Sequence, residues 1–300
     1  MSRIREALKK AAEERAAQMT GDTTEDLLDL LGTRSAEGIP AVSAPWPDQG
    51  ASRERVHGLR TEFDELVAKC RRAEWRLEPK YSVFANGANN RRGAERFRTL
   101  RSRLYQLAAA QPLRRILLTS SIPREGKTFV ACNLAQSISR HENRKVLLID
   151  ADLRVSCLHK ALGATKEPGL SDYLRGDSEL TGVIQIGSKT NLCFIPGGRE
   201  ISNPSEFLHS EKMKALLDQM AKVFDWIILD SPPAIPVHDA SLLADMCDGA
   251  LLVVRAGMTD FEVAQKAAAE FQNKKLLGVV LNRVEKSESH GEYYLGLGKE

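Results

Sequence analysis

The chain has 300 residues, 42% of them apolar and 28% charged, enough to bury at least one full core. Its net charge of +3 is small and locally concentrated, which argues against nucleic acid as a partner. Cys70, Cys132, Cys157, Cys193 and Cys247 are scattered without a close pair, so neither a zinc site nor a disulfide framework is indicated, and a reduced compartment fits.

In chain order, Ser2 caps a short, largely basic helix reaching about Ala16, and Asp26 to Leu31 adds a further turn or two. Gly32 to Gly50 is rich in Gly, Pro, Ser and Ala and reads as a flexible linker. Val56, Leu59, Phe63, Leu66, Cys70, Ala73 and Leu77 then alternate in steps of three and four. This is the spacing of a coiled-coil seam or, equally, of an amphipathic helix lying on its own domain. From about Arg114, short apolar runs alternate with longer helical stretches. The strands are predicted at Arg115 to Thr119, Lys145 to Ile149, Leu192 to Ile195, Trp226 to Leu229, Ala250 to Val254 and Leu277 to Leu281. Helices are predicted at Thr128 to Arg140, Pro204 to Val223, Asp239 to Met246 and Phe261 to Asn273. The fold class is therefore α/β, a mostly parallel sheet flanked by helices. The expected organisation is an N-terminal extension over 1–90, the α/β domain over 91–284 and a flexible tail over 285–300.

Ser121-Ile122-Pro123-Arg124-Glu125-Gly126-Lys127-Thr128 stands between a predicted strand and a predicted helix. Main-chain N–H groups at a helix start, together with the helix dipole, make such a loop a cradle for phosphate. Lys127 would reach the β- and γ-phosphates, Thr128 would offer its hydroxyl to Mg²⁺, and Gly126 would let the backbone approach closely. The match to the phosphate-loop pattern departs at its first position, where Ser121 replaces Gly. Val146 to Ile149 leads into Asp150 and Asp152, and Trp226 to Leu229 leads into Asp230. Carboxylates at the C-terminal ends of parallel strands face the ligand crevice. With Lys127 and Thr128 they form a candidate site for ATP and Mg²⁺.

Taken together, these residues resemble the bacterial tyrosine kinases of exopolysaccharide and capsule assembly, a branch of the MinD/ParA-like P-loop NTPases, from about Glu95 onward. Thr119 to Thr128 is similar to the family's Walker A, Leu148-Ile149-Asp150-Ala151-Asp152-Leu153-Arg154 to its Walker A′, and Asp225 to Pro233 to its Walker B. Gly169 to Gly176 and Asn203 to Glu206 are further family-like stretches. Ile122 stands where the partition and septum-positioning ATPases usually carry a signature lysine, which favours the kinase branch. Arg124 replaces a common Gly, and Ser156 a common Pro.

The resemblance implies an autokinase that phosphorylates its own C-terminal tyrosines, here Tyr293 and Tyr294, in trans; the competing reading is a MinD/ParA-like ATPase switch. It implies nucleotide contacts from Ser121, Arg124, Glu125, Gly126, Lys127, Thr128, Phe129 and Asn282, the last resembling an adenine contact. Thr128, Asp152 and Asp230 are the expected metal ligands and Asp150 the candidate base, with an exchange of roles between Asp150 and Asp152 left open. Glu95-x-x-Arg98-x-x-Arg101 matches the family's oligomerisation motif, implying a homo-oligomeric ring. Without a bilayer-length apolar run or a signal peptide, the chain is expected to be cytoplasmic. It would be recruited to the inner face of the membrane by a separate membrane-embedded activator of polysaccharide export.

Overall fold

The computed structural model describes residues 62–85, 91–141, 144–187, 191–235, 237–271 and 275–284. In chain order the strands are β1 (Arg71–Ala73), β2 (Arg115–Ser120), β3 (Val146–Asp150), β4 (Gln185–Gly187), β5 (Leu192–Ile195), β6 (Trp226–Asp230), β7 (Gly249–Arg255) and β8 (Leu276–Asn282). They form one sheet in the order β1-β4-β5-β3-β6-β2-β7-β8. Among the described residues every strand pairing is parallel except β4 with β5. The six predicted strands all form, each to within one residue or so of its expected ends.

Continuous apolar runs give strands that are buried on both faces. Leu117, Leu147 and Ile149 point into one hydrophobic core, whereas Ile116, Leu118, Val146 and Leu148 point into the other. The longer helices that cover the sheet are α1 (Arg91–Ala110), α2 (Lys127–Ser139), α7 (Glu211–Val223) and α9 (Phe261–Ala269). Shorter turns of helix lie at α3 (Leu158–Leu162), α4 (Leu170–Arg175), α5 (Leu180–Val183), α6 (Pro204–Leu208) and α8 (Asp239–Ala244). The helix expected from Pro204 to Val223 is broken in two. Ser210 caps α7, its hydroxyl accepting the Met213 N–H at 3.2 Å, and so starts a new helix there.

The segment before α1 is built into this architecture. The single helix expected from Val56 to Leu77 stops at residue 69, and the chain then extends as β1 at the edge of the sheet. Of the seam positions, Phe63 and Cys70 are buried in the same core as Leu117 and Leu229, and Phe63 meets Phe224 edge-on at 5.6 Å. The seam thus faces this chain's own domain, and Val56 and Leu59 lie outside the described residues. Trp75 packs edge-on against Phe194 at 6.2 Å. Asn133 of α2 donates to the Tyr81 carbonyl and accepts the Val83 N–H, both at 2.8 Å. Residues 62–85, expected within the extension, therefore contribute a strand and core side chains. The basic helix near Ser2, the Gly32 to Gly50 linker and the tail bearing Tyr293 and Tyr294 all lie outside the described residues.

Candidate functional site

Adjacent strands β3, β6 and β2 end side by side, and Asp150 and Asp230 are direct partners in the β3–β6 register. The chain leaves β2 through Ser121 to Gly126 and enters α2 at Lys127. Arg124 and Gly126 hold positive φ angles of 69° and 98°, so this loop turns through the left-handed region twice. That conformation accounts for glycine being the easier residue at 124.

Glu125 braces the loop from inside. Its buried carboxylate accepts from the Ile122 N–H at 2.8 Å, from the Arg255 N–H at 3.2 Å and from the Thr259 hydroxyl. It is a candidate nucleotide contact through its main chain, because its side chain is already committed. Asn282 donates its Nδ2 to the Glu125 carbonyl at 2.8 Å. Ser121 is fully buried, its hydroxyl without a partner. Phe129 lines the cleft and leans on Phe97 at 5.9 Å.

Lys127 Nζ stands 2.8 Å from Asp152 Oδ2, 3.8 Å from Asp230 Oδ1 and 3.3 Å from the Thr128 hydroxyl. Burial works against its charge, yet Asp230 and Asp152 outweigh burial and raise its pKa, so the ammonium stays protonated. Asp230 is fully buried, and among the described residues neither of its oxygens accepts a hydrogen bond. Burial raises its pKa, while the Lys127 charge and the nearby Thr128 hydroxyl pull it down. Asp150 is also fully buried; burial and then the Asp230 charge raise its pKa. Its Oδ2 accepts from the Ser156 hydroxyl at 2.8 Å and from the Cys157 and Leu158 N–H groups at 3.1 Å, and its Oδ1 has no partner. Asp152 is fully engaged, with Oδ2 on Lys127 and Oδ1 accepting the Val155 N–H at 3.0 Å.

Buried carboxylate oxygens without partners, next to a cation and a hydroxyl, suit a divalent metal. Among the described residues no three His, Cys, Asp or Glu side chains close on one point. This is compatible with Mg²⁺, which takes one or two carboxylates and fills its remaining positions from phosphate and water.

Above these groups opens a cleft of about 930 Å³ lined by Arg124, Gly126, Lys127, Thr128, Phe129, Asp152 and Asn282. The lining also includes Lys80, Tyr81, Arg154, Cys157, Arg255 and Arg283, which the sequence does not single out as site residues. Lys80 and Tyr81 reach the cleft from the segment before α1, an approach made only by tertiary packing. Arg154 was legible as the last residue of the Asp150 to Arg154 stretch. Glu95 and Arg98 pair with each other at 2.7 Å on the exposed face of α1, and Arg101 donates to the Ser137 carbonyl at 2.8 Å. In one copy, then, these three residues lie apart from the cleft and have partners within the chain.

A glycine-bearing loop between strand and helix, a buried lysine and carboxylates on neighbouring strand ends define a P-loop nucleotide-binding domain. Residues 124–300 match the family described as the CobQ/CobB/MinD/ParA nucleotide binding domain. The septum site-determining protein MinD of Pyrococcus horikoshii, solved with Mg-ADP, is 25% identical with a TM-score of 0.50, over 59% of this chain and 72% of that one.

Tyrosine-protein kinase YwqD of Bacillus subtilis is 35% identical over 202 residues, 67% of this chain and 84% of that protein. Tyrosine-protein kinase etk of Escherichia coli is 35% identical over 205 residues, 67% of this chain but 28% of that protein. The solved Etk kinase domain superposes with a TM-score of 0.63 at 33% identity, over 70% of this chain and 82% of that one. The chain belongs to the bacterial tyrosine-protein kinases, within the MinD/ParA-like nucleotide-binding proteins. It spans most of the Bacillus kinase and little more than a quarter of Etk.

Proposed function

We propose that this kinase moves the γ-phosphate of ATP to Tyr293 and Tyr294 of a neighbouring copy. The observation that carries the reading is Lys127 Nζ set 2.8 Å from Asp152 and 3.8 Å from Asp230 where the cleft meets the strand ends. Phosphoryl transfer asks a protein mainly for positioning and for compensation of charge. Lys127 holds the β- and γ-phosphates, and the start of α2 adds main-chain donors. Thr128, Asp152 and Asp230 would hold Mg²⁺, which supplies neutralisation of the phosphate charge.

The acceptor's phenolic oxygen bonds to the γ-phosphorus as the bond to the β–γ bridging oxygen breaks and ADP leaves. The phenolic proton passes to Asp150. Two observations support Asp150 over Asp152 as the base. Both oxygens of Asp152 are occupied, and the pKa of Asp150 is raised by burial toward the working range of a general base. Ile122, which has no ammonium to offer across an interface, also fits a kinase better than a partition-type switch.

The domain is proposed to run from residue 62 to 284, preceded by an extension and followed by the acceptor tail. Copies associate through Glu95, Arg98 and Arg101, the exposed Glu95–Arg98 pair being open to exchange with a neighbour. Among the described residues no helix is long and apolar enough to cross a membrane. We place the chain at the inner membrane face through a membrane-embedded partner of exopolysaccharide production.

The test mixes a Lys127→Met chain with an active chain lacking residues 285–300 and supplies Mg·ATP. Phosphate on Tyr293 or Tyr294 of the inactive chain, read by mass spectrometry, is the expected result. Modification confined to single intact chains rejects transfer in trans, and release of free phosphate alone supports a nucleotide switch instead.

A further inference from the structure

A second, smaller cavity of about 250 Å³ adjoins the cleft, lined by Ser156, His159, Lys160, Lys166, Gly197 and Glu200 among others. Arg154 and Val155 line both spaces. Ser156 connects the small cavity to the chemistry, since its hydroxyl donates to Asp150 Oδ2 at 2.8 Å. Gly197 keeps this wall thin, because a Cβ there would come within 2.6 Å of the Ser156 hydroxyl oxygen.

The lining carries more positive than negative charge. Arg154 is neutralised by Asp239, which it grips at 2.7 and 3.3 Å. Among the described residues Lys166 pairs only with Glu200, 3.7 Å away on a side chain that is 91% exposed. Lys160 is exposed and makes no ion pair with a described residue. His159 has a buried Nδ1 without a partner among the described residues. Its pKa is lowered by burial and then by Lys160 and Lys166, so the ring reports the positive field of both lysines.

We propose that this cavity is the acceptor-side subsite of the kinase, where Lys160 and Lys166 take the carboxylate of Glu292 so that Tyr293 enters beside Asp150. The ligand class is an acidic peptide with its carboxylate immediately before the tyrosine. The chain carries that pattern in its own tail, Glu288-Ser289-His290-Gly291-Glu292-Tyr293. Complementary charge at such a rim selects and registers a partner more than it adds raw affinity. This assignment rests on the tail-phosphorylation reading above.

The test uses the full chain loaded with Mg²⁺ and a non-transferable ATP analogue. It is titrated into fluorescein-labelled peptides of residues 286–300, either unchanged or with Glu292→Gln. The unchanged peptide should bind about fivefold to tenfold more weakly to the Lys160→Gln/Lys166→Gln chain, the range expected of partly exposed charge pairs. Glu292→Gln should lose a similar factor on the parent chain and little more on the double variant, as groups in contact do in a double-mutant cycle. Lys214→Gln/Lys222→Gln on α7 removes equal charge and should leave binding unchanged. Equal weakening by that control, a full second loss on combining the changes, or no binding of either peptide overturns the subsite. The two readings fail separately. Peptide bound through this pair but never phosphorylated with Mg·ATP sinks tail transfer alone, and transfer indifferent to Lys160, Lys166 and Glu292 sinks the subsite alone.

Discussion

Asn282 ends β8 and donates its side-chain Nδ2 to the main-chain carbonyl of Glu125 at 2.8 Å, tying the far edge of the sheet to the phosphate loop. A Cβ on Gly126 would lie 2.0 Å from that same nitrogen, and Gly126 holds φ at 98°. The tie and the glycine are one device: a side chain at 126 would push Asn282 off the Glu125 carbonyl, and a φ of 98° suits glycine alone.

Gly126→Ala should therefore weaken Mg·ATP binding more than loss of the tie alone, since the tie must break and the left-handed angle is strained as well. Asn282→Ala removes the tie but no steric room, and should weaken Mg·ATP binding about tenfold, within the range for a lost buried hydrogen bond. Isothermal titration of both variants checks the order. Gly126→Ala binding as well as the parent would contradict the close approach.

The buried carboxylates make the metal-free protein sensitive to pH. Asp150 and Asp230 have pKa values raised above the ordinary carboxylate range by burial; the Asp230 charge adds to the rise at Asp150, whereas the Lys127 charge opposes it at Asp230. A raised pKa means that the folded chain holds protons the unfolded chain has released, so this contribution is fully present below the unfolded value. It is lost as pH rises through the folded value. With metal chelated, chemical denaturation should show stability falling as pH rises from about 4 through the raised values, about 4 being the unfolded carboxylate reference. Asp150→Asn and Asp230→Asn should each flatten the fall. Mg·ADP should stabilise the chain most at the alkaline end, where both carboxylates are ionised. Stability that rises across this window in the chelated parent would refute the assignment.

The parallel sheet was legible because strands buried on both faces must be continuous apolar runs, and Ile116 to Leu118 or Val146 to Ile149 have no other use. The candidate site was legible for a related reason: Asp150 and Asp230 each close such a run, and Lys127 follows the loop after β2. Three-residue β1 and β4 left no signal, because Arg71-Arg72-Ala73 and Gln185-Ile186-Gly187 are strands only through pairing, β1 with β4 and β4 with β5. Nor could sequence show that Ser156, standing where proline is common in the family, supplies a donor to Asp150. The split at Ser210 was readable as a cap but is hidden within an otherwise helical stretch.

The segment before α1 is part of the fold, and truncation should show it. Removing residues 1–61 should leave thermal unfolding of the domain nearly unchanged. Removing 1–80 takes away β1, Phe63, Cys70 and Trp75, and should give a chain that is grossly destabilised or fails to fold. Phe63→Ala alone deletes a ring that is 8% exposed and packed on Phe224, a change that costs about 3–5 kcal/mol when such a ring is truncated. Urea unfolding followed by circular dichroism measures each step. A chain lacking residues 1–80 with parental stability would return this segment to the status of an appendage.

Arg154 positions the loop that carries Asp152. Its Nε and one terminal nitrogen hold the buried Asp239 carboxylate at 2.7 and 3.3 Å, and that terminal nitrogen also donates to Ser205 at 3.0 Å. The grip pins the loop after β3 to the starts of α6 and α8, and lysine has no planar fork with which to reproduce it. Arg154→Lys should lower kcat about tenfold or more while the KM for ATP changes little, because misplacing Asp152 harms the transition state more than ground-state binding. Asp239→Asn should give the same split, and the double variant should cost little beyond either single change. A loss confined to the KM for ATP would instead make Arg154 a direct nucleotide contact, in keeping with its place on the cleft wall.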